Sequence, residues 1–186
     1  MQHSDPGAFP DALTPDDVFA GAALTSPVVI YDDEHYFMGG ALAEKLADQG
    51  FAVTLITPDA RASAWTAMTD EQGFVQARLM DKGVRILPSQ IVTGQSTAEV
   101  TLSCTHTQRQ SRADCATLIL VTGRLPDDAL YRDLTTMGHT ATRIGDCLAP
   151  SSVADAVYSA HRFARNLGQS DPVPLRRERP TLAERG

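Results

Sequence analysis

Short hydrophobic runs alternate with amphipathic segments along this chain. Residues 28–31 read Val-Val-Ile-Tyr, a continuous apolar run typical of a strand buried on both faces. Leu42 and Leu46 follow, four residues apart, which places them on one face of a helix. Residues 51–57 form a second apolar run of strand length. Residues 27–57 therefore predict a β-α-β unit with parallel strands.

Two further helices are predicted from the residues at their ends. In residues 14–21, Thr14 can cap a helix, Pro15 suits the first helical position, and Gly21 ends the helix. Farther along, the spacing of Thr69 and Gln72 matches a capping box, and Gly83 would end that helix. The residues expected on the core face of the second helix are Phe74, Val75, Leu79 and the stem of Arg78.

Three alternating segments follow that helix and predict antiparallel pairing. Residues 84–92, 98–105 and 108–113 are joined by short polar turns, as in a β-meander. Residues 116–121 are again continuously apolar, which predicts a return to the centre of the parallel sheet. The whole pattern predicts an α/β fold, a Rossmann-like three-layer domain with a parallel sheet and a β-meander.

The last third of the chain adds two short elements. Residues 143–146 predict a strand, and residues 151–167 predict a helix capped by Ser151. Beyond them, prolines and arginines predict a solvated tail. The expected parts are a linker with one short helix at 1–26, the Rossmann-like domain at 27–142, a terminal strand and helix at 143–168, and a flexible tail at 169–186.

Charge and cysteine content exclude several function classes. The formal net charge of −7 argues against binding to a nucleic-acid backbone, which needs clustered cations. No apolar run approaches the roughly 18 to 20 residues that cross a bilayer, so a soluble, cytoplasmic protein is expected. The three widely spaced cysteines, Cys104, Cys115 and Cys147, support neither a disulfide framework nor a metal site. Reduced, buried thiols are expected instead.

The turn after the first strand stands where a dinucleotide-binding domain carries G-x-G-x-x-G, whose glycines let backbone N–H groups approach pyrophosphate. Gly39 aligns with the third glycine, which serves close strand-to-helix packing, but the first two glycine positions fall among acidic residues. A carboxylate ~4 Å from a phosphate oxygen costs on the order of 4 kcal/mol at an effective dielectric of 20. The acid expected after the second strand is also missing, with Asp59 only nearby. The sequence therefore predicts lost dinucleotide binding; if phosphate binding survives, Gly39 and Gly40 would provide it.

Other side chains near this turn admit two interpretations each. Residues 32–35, Asp-Asp-Glu-His, contain metal-ligand types, but four consecutive residues rarely converge on one ion, so a solvated loop is preferred. Tyr36 and Phe37 are expected to fill the vacated nucleotide groove rather than stack on a cofactor. Trp65 is either an interface anchor or an ordinary packing residue. No catalytic residue and no metal site are predicted.

Several separated motifs resemble one enzyme family; they are residues 13–18, 36–38, 42–47, 53–58, 120–126, 144–150 and 156–162. On these motifs the chain resembles the C-terminal part of the trimethylamine, dimethylamine and histamine dehydrogenase flavoproteins. The resemblance implies the NAD(P)H-type domain, as in disulfide reductases, plus the last strand and helix of an FAD-type domain. It also implies that Gly145 and Asp146 occupy the position where an acidic residue approaches the ribitol or ribose of a bound nucleotide.

Members of that family are similar in carrying FMN in an N-terminal barrel of the old-yellow-enzyme type, a 4Fe-4S cluster, and an adenine nucleotide or FAD. They are oxidoreductases that act on small methylated amines. This chain has no room for a barrel of ~250 residues and no closely spaced cysteine run for a cluster. The chain alone is therefore expected to hold no cofactor and to be a truncated gene product, a split subunit or an excised domain.

Three function hypotheses follow from these observations. The first is a non-catalytic nucleotide-fold module of a flavin-dependent amine dehydrogenase, serving as scaffold or docking surface. The second is a working NAD(P)H-binding domain of a flavin reductase. The third is a stand-alone structural protein that dimerises. The expected partners are a flavoprotein barrel subunit or a second copy of the chain, with neither nucleic acid nor membrane involved.

Overall fold

The computed structural model describes residues 9–169 and divides the chain into two compact units, Met1–Gly123 and Arg124–Gly186. None of the helices within residues 9–169 combines the length and apolar character needed to span a bilayer. In chain order the elements are α1 (Pro15–Phe19), β1 (Val28–Asp32), α2 (Phe37–Asp48), β2 (Val53–Ile56), a 3-10 helix (Ala64–Thr69), α3 (Gln72–Asp81), β3 (Arg85–Leu87), β4 (Gln90–Gln95), β5 (Glu99–Cys104), β6 (Gln110–Asp114), β7 (Thr117–Val121), α4 (Ala129–Thr136), a second 3-10 helix (Gly145–Cys147) and α5 (Val153–Asn166).

The first unit is built on a parallel sheet with the strand order β3-β2-β1-β7. Val28 of β1 pairs in register with Val53 of β2 on one side and with Thr117 of β7 on the other. All five residues of β1 are buried; the apolar run of residues 28–31 predicted this for the first four but not for Asp32. The predicted α/β class with a parallel sheet is confirmed.

Alternate residues of β1 enter two different hydrophobic layers. Val28 and Ile30 pack in the cluster that includes Leu42 and Leu46 of α2, whereas Val29 joins a second cluster. That second cluster contains the inward residues of the antiparallel meander β4-β5-β6. The sheet therefore lies between a helical layer and the meander, which is the predicted three-layer arrangement.

The meander begins later than the sequence suggested. Residues 84–92 were predicted as one strand, but this prediction is wrong because they form two strands in different sheets. Pro88 has no N–H to donate to a ladder, and Ser89 adopts a left-handed φ of 55°, so the chain turns between β3 and β4. The Ser89 N–H donates to the carbonyl of Asp59 at 2.8 Å, which fixes this turn. β3 thus extends the parallel sheet and only β4 enters the meander.

The helix ends follow the sequence signals in one case and depart from them in another. At α1, Thr14 and Asp17 form a capping box, as the residue pattern predicted for this helix. At α3 the predicted capping box is wrong. The Thr69 hydroxyl donates to the Thr66 carbonyl and the Gln72 side-chain amide donates to the Ala62 carbonyl, so the two side chains do not cap the helix. Phe74, expected on the core face of α3, is 73% exposed, whereas Leu79 is buried.

The second unit contains helices only among its described residues. The strand predicted at residues 143–146 is wrong: Gly145 has a φ of 62°, in the left-handed region that strands exclude, and its N–H donates to the Ser159 hydroxyl of α5. The sequence pattern did not predict α4, an eight-residue helix without a buried side chain. At α5, Ser152 rather than Ser151 is the cap, since its hydroxyl accepts the N–H of Asp155.

The four predicted divisions of the chain stay predictions. The structural division falls after Gly123, inside the predicted domain of residues 27–142. Nearly all of the predicted tail, from residue 170 onward, and the first eight residues of the predicted linker lie outside the described residues.

Candidate functional site

The turn that follows β1 brings a buried acid to the carboxyl edge of the parallel sheet. Asp32 is the last residue of β1, and its side chain is 0% exposed. One oxygen, Oδ1, accepts the backbone N–H of His35 at 3.0 Å. The other oxygen, Oδ2, has no hydrogen-bond partner within the described part of the chain. The prediction of a solvated loop is therefore wrong for Asp32, because the strand carries its side chain into the interior.

The Asp32 carboxyl group lies directly against the first turn of α2. A Cβ atom added to Gly39 would come within 2.4 Å of Asp32 Cγ and 2.5 Å of Oδ2, which is far inside van der Waals contact. Gly39 therefore serves close packing between β1 and α2, as the alignment with a third glycine predicted. What it packs against is a carboxyl group, in the region where a dinucleotide fold would admit pyrophosphate.

The next glycine faces a second buried polar side chain. A Cβ atom on Gly40 would lie 2.7 Å from Ser63 Oγ. Ser63 is itself 0% exposed, and its hydroxyl lacks a partner among residues 9–169. Tyr36, the residue before α2, makes no side-chain capping bond to the helix. The start of α2 is thus enclosed by the protein's own polar groups.

His35 joins the ends of the two central strands. Its φ of 66° lies in the left-handed region, which few residues other than glycine adopt without support. Its Nδ1 is 3.4 Å from the Thr57 hydroxyl after β2, and its Nε2 is 3.4 Å from Asp33 Oδ1. The ring also packs against Trp65, with ring centroids 5.8 Å apart. These contacts hold the turn in its strained conformation.

Burial and charge shift the acid-base properties of this turn. Burial raises the pKa of Asp32 from 3.8 to about 6, although the N–H bond from His35 works in the opposite direction. The hydrogen bond to Asp33, reinforced by the charges of Asp32 and Asp59, raises the pKa of His35 above 6.5. The turn therefore contains a buried acid with a pKa of about 6 next to an imidazole whose charged form the neighbouring carboxylates favour.

A cleft of about 570 Å³ opens beside this turn. Its walls include Asp33 and His35 after β1, Asp59 after β2, and His106 from the turn between β5 and β6. Doubly wound folds bind ligands in crevices at the carboxyl ends of their parallel strands, which is where this cleft lies. The sequence indicated only that Asp59 lies near the expected position of the ribose-binding acid; in the structure Asp59 lines this cleft.

The aromatic residues near the turn are only partly enclosed. Tyr36 is half-buried and contacts the Phe37 ring at a centroid distance of 4.3 Å, while Phe37 is 39% exposed. Phe37 and Phe74 both line a groove of about 400 Å³ between α2 and α3. Trp65 is 52% exposed, so it combines ordinary packing on His35 with a solvent-facing edge. The expectation that Tyr36 and Phe37 fill a nucleotide groove stays a prediction.

In the second unit, Gly145 and Asp146 lie in the 3-10 helix before α5. Gly145 is half-buried, Asp146 is exposed, and an Asp146 oxygen accepts the N–H of Ser151 at 3.5 Å. No strand is present beside them within residues 124–169. The structure therefore brings Gly39 and Gly40 together in one unit and Gly145 and Asp146 in the other, and nucleotide contact by either pair stays a prediction.

The cysteines differ in their surroundings. Cys115 is buried, and this burial raises the pKa of its thiol to about 11. Cys104 and Cys147 are half-buried, so the expectation of buried thiols holds fully only for Cys115. In the part of the chain that the structure describes, no group of three or more His, Cys, Asp or Glu side chains could hold a metal ion.

Sequence reasoning missed the most unusual features of the site. It placed Asp32 in a solvated loop and gave His35 no role beyond that loop. The apolar run of β1 ending directly in Asp32 was the available signal, because a central strand buries its last residue together with the rest. Nothing in the sequence pattern indicates that Ser63 reaches Gly40.

Comparison with known proteins places this geometry in a family context. The model of the OYE-like second alpha/beta domain matches residues 13–112. Dimethylamine dehydrogenase from Hyphomicrobium sp. (strain x) is 30% identical over 206 residues, covering 93% of this chain and 28% of that protein. The structure of histamine dehydrogenase from Rhizobium sp. 4-9 is 38% identical, with a TM-score of 0.84, over 94% of this chain and 29% of that one.

A third similar protein is 6-hydroxypseudooxynicotine amine oxidase from Pseudomonas geniculata N1, at 29% identity and a TM-score of 0.81. The match covers 90% of this chain and 26% of that protein's chain. The chain therefore spans less than a third of the length of each of these relatives. The resemblance to dimethylamine and histamine dehydrogenases that the separated motifs predicted is confirmed.

Proposed function

Because the chain belongs to the OYE-like second alpha/beta domain family, we propose that it is a nucleotide-fold module, without catalytic residues of its own, of a flavin-dependent amine dehydrogenase. The names of the two dehydrogenase relatives support the amine-oxidising context. The module acts either within a longer flavoprotein or as a subunit bound to one. Its role is that of a scaffold or docking surface rather than a carrier of electrons.

The observation that carries this proposal is the position of the Asp32 carboxyl group against Gly39. A dinucleotide fold needs bare backbone N–H groups at the start of its first helix, so that pyrophosphate can approach them. Here the carboxyl group lies within 2.5 Å of where a Gly39 Cβ would stand, and it becomes negative above about pH 6. The residues present do not fit a pyrophosphate, for reasons of both space and charge.

Calorimetric titration of the purified chain with NADH and NADPH tests this proposal. We expect no saturable binding by the unchanged protein at pH 7.5. Asp32→Ala, which removes the blocking carboxyl group, should raise the affinity for the diphosphate. Asp33→Ala is the matched control, because it removes a neighbouring acid whose carboxylate pairs with the His35 ring instead.

Saturable binding of either nucleotide by the unchanged chain would overturn the proposal. An equal gain from both variants would show that general negative charge, rather than the position of Asp32, prevents binding. Thermal unfolding of each variant verifies that the fold is retained during the titration.

A working NAD(P)H-binding domain is the second candidate, and the cleft of about 570 Å³ favours it. Asp59 borders this cleft just after β2, where nucleotide folds hold the ribose hydroxyls of the adenosine half. In this candidate, Gly39 and Gly40 would still offer backbone to phosphate. Adenosine separates the two candidates, since it lacks the diphosphate: binding of adenosine without NADH favours a blocked pyrophosphate site, and binding of both favours the working domain.

Partners and cofactors follow from the same proposal. The expected partner is a flavoprotein barrel subunit, and the alternative is a second copy of the chain. FMN, the 4Fe-4S cluster and an adenine nucleotide or FAD are assigned to the remainder of such an enzyme. The three cysteines form no disulfide, which supports a proposed cytoplasmic location.

Two measurements on the purified chain address these assignments. Sedimentation equilibrium distinguishes monomer from homodimer, and a dimer would favour the stand-alone structural role. An absorption spectrum detects bound flavin or an iron cluster directly. We expect a flavin spectrum only when the chain is isolated together with a barrel subunit, and a spectrum from the chain alone would contradict the cofactor assignment.

A further inference from the structure

The turn after β1 is connected to two other segments through a single residue. The His35 N–H donates to Asp32 at the end of β1, and its ring contacts the Thr57 hydroxyl at the end of β2. Its carbonyl accepts the backbone N–H of Trp65 at 2.9 Å, which ties the turn to the first 3-10 helix. Because His35 has a left-handed φ, these contacts maintain a conformation that the residue does not favour by itself.

The surroundings of the His35 ring are strongly acidic. Asp33 pairs with its Nε2, and the charges of Asp32 and Asp59 also act on the ring. The first turn of α2, Phe37 to Gly40, presents no charged side chain, and the 3-10 helix contributes the uncharged Trp65. The titratable groups facing this cluster are Asp32, Asp33 and Glu34 from the turn itself, Asp59 from the segment after β2, and His106 across the cleft.

We propose that the charge on His35 acts as a pH-sensitive latch that holds the Trp65 segment against the turn after β1. When His35 is an imidazolium, it is the cation between the carboxylates that surround it. When it is neutral, hydrogen bonds to Asp33 and Thr57 are still possible, but the carboxylates lose their compensating charge. Their repulsion, together with the strained backbone of His35, then favours opening of the turn.

The order of the two titrations defines the working range of the latch. The pKa of Asp32 is about 6, so its buried carboxylate is charged above that pH. The pKa of His35 is raised above its ordinary 6.5 in the folded protein. The charged ring therefore stabilises the closed turn fully below pH 6.5, and this stabilisation is lost as the pH rises through the folded pKa of His35. The closed turn is therefore stable while His35 is charged, and it weakens as the pH rises through the raised pKa of His35.

Trp65 provides an internal reporter, because it is the only tryptophan in the chain and its ring centroid lies 5.8 Å from that of His35. An imidazolium quenches indole fluorescence more strongly than a neutral imidazole does. We expect the emission of the full chain to rise with pH in one step whose midpoint lies above 6.5. His35→Gln should abolish the step, Asp33→Asn should lower its midpoint, and His106→Gln, the control for the other histidine of the cleft, should leave it in place.

Amide hydrogen exchange tests whether the segment opens, beyond the change in charge. The Trp65 N–H should lose protection several-fold through the same midpoint, after correction for the intrinsic pH dependence of exchange, whereas the Ile30 N–H in β1 should not. A step retained in His35→Gln, a step lost in His106→Gln, an unchanged midpoint in Asp33→Asn, or constant Trp65 protection would each overturn the proposal. If His35→Gln fails to fold, NMR titration of the His35 ring in the unchanged chain and in Asp33→Asn provides the same decision.

Discussion

The turn after β1 and the segment before α5 each pair a glycine with an acid, and the two pairs have different surroundings. Asp32 and Gly39 are both buried, and the carboxyl group lies within van der Waals range of the helix backbone. Gly145 is half-buried and Asp146 is exposed. A Cβ atom added to Gly145 would lie 3.6 Å from the Ala156 side chain, which is ordinary van der Waals contact.

The difference arises from the elements that carry each pair. A central parallel strand fixes Asp32 beneath α2, so its charge is placed where a bound phosphate would need positive potential. No strand within residues 124–169 carries Asp146, so it stays at the surface of its unit. Residue type alone therefore does not define a nucleotide site, because the same acid is an obstacle in one setting and a solvated group in the other.

The largest expected effect comes from breaking the close contact at Gly39. Gly39→Ala would place a methyl group 2.4 Å from Asp32 Cγ, so either the strand or the helix must shift. Overpacking of this kind costs about 3 kcal/mol of unfolding free energy. Denaturant unfolding of Gly39→Ala and of the double variant with Asp32→Gly measures the effect, and the double variant should recover much of the loss.

Gly73→Ala is the matched control for that substitution. Gly73 also lies in a helix, α3, but nothing stands within 4 Å of the point where an alanine methyl group would lie, and its backbone is helical. Alanine there should stabilise the protein by about 0.5 to 1 kcal/mol through helix propensity. A loss of equal size at both glycines would contradict the assignment of the Gly39 effect to Asp32.

Gly39 also illustrates how much of this site the sequence could predict. Its alignment with a third glycine was sufficient to predict close strand-to-helix packing, since only the spacing from the apolar run of β1 was required. The partner of that packing was not predicted, because Asp32 was assigned to a loop; as a continuation of β1 it lies on the face of Val28 and Ile30, which pack against α2. Apolar periodicity likewise predicted β1, β2 and β7, which are buried strands.

The elements that the sequence reading missed have weaker or non-local signals. The division between β3 and β4 depends on a left-handed Ser89 held by the carbonyl of Asp59, a contact between segments thirty residues apart. The short helix α4 buries no side chain, so it has no strong apolar stripe. A strand at residues 143–146 was predicted from residue types that also suit a turn, and Gly145 takes the turn conformation.

A second, smaller effect should distinguish the buried acid from the exposed one through pH. The folded pKa of Asp32 is about 6 against 3.8 unfolded, so the folded state binds this proton more tightly and loses stability as the pH rises from 3.8 to 6. The loss amounts to about 3 kcal/mol at most, at about 1.4 kcal/mol for each pKa unit. Asp32→Asn should therefore stabilise the chain by about 2 kcal/mol at pH 7 and by little below pH 4.

The matched substitution for that comparison is Asp146→Asn in the other pair. Because Asp146 is exposed, we expect its replacement to change the unfolding free energy by less than about 0.5 kcal/mol at either pH. Denaturant unfolding at pH 4 and pH 7 provides both measurements. An Asp32→Asn effect that is the same at the two pH values would indicate that the benefit does not come from removing a buried charge.

The smallest effect is expected at the cap of α5, beside the exposed pair. The Ser152 hydroxyl accepts the N–H of Asp155 at 3.3 Å, whereas the Ser151 hydroxyl donates to the Asp155 carboxylate and satisfies no backbone N–H. Ser152→Ala should weaken the first turn of α5 by about 1 kcal/mol, or roughly fivefold in amide exchange protection. Ser151→Ala should leave that protection nearly unchanged, because the helix N–H keeps its acceptor. Since the two serines are adjacent and similarly exposed, equal effects from both would show that the structure assigns the cap to the wrong residue.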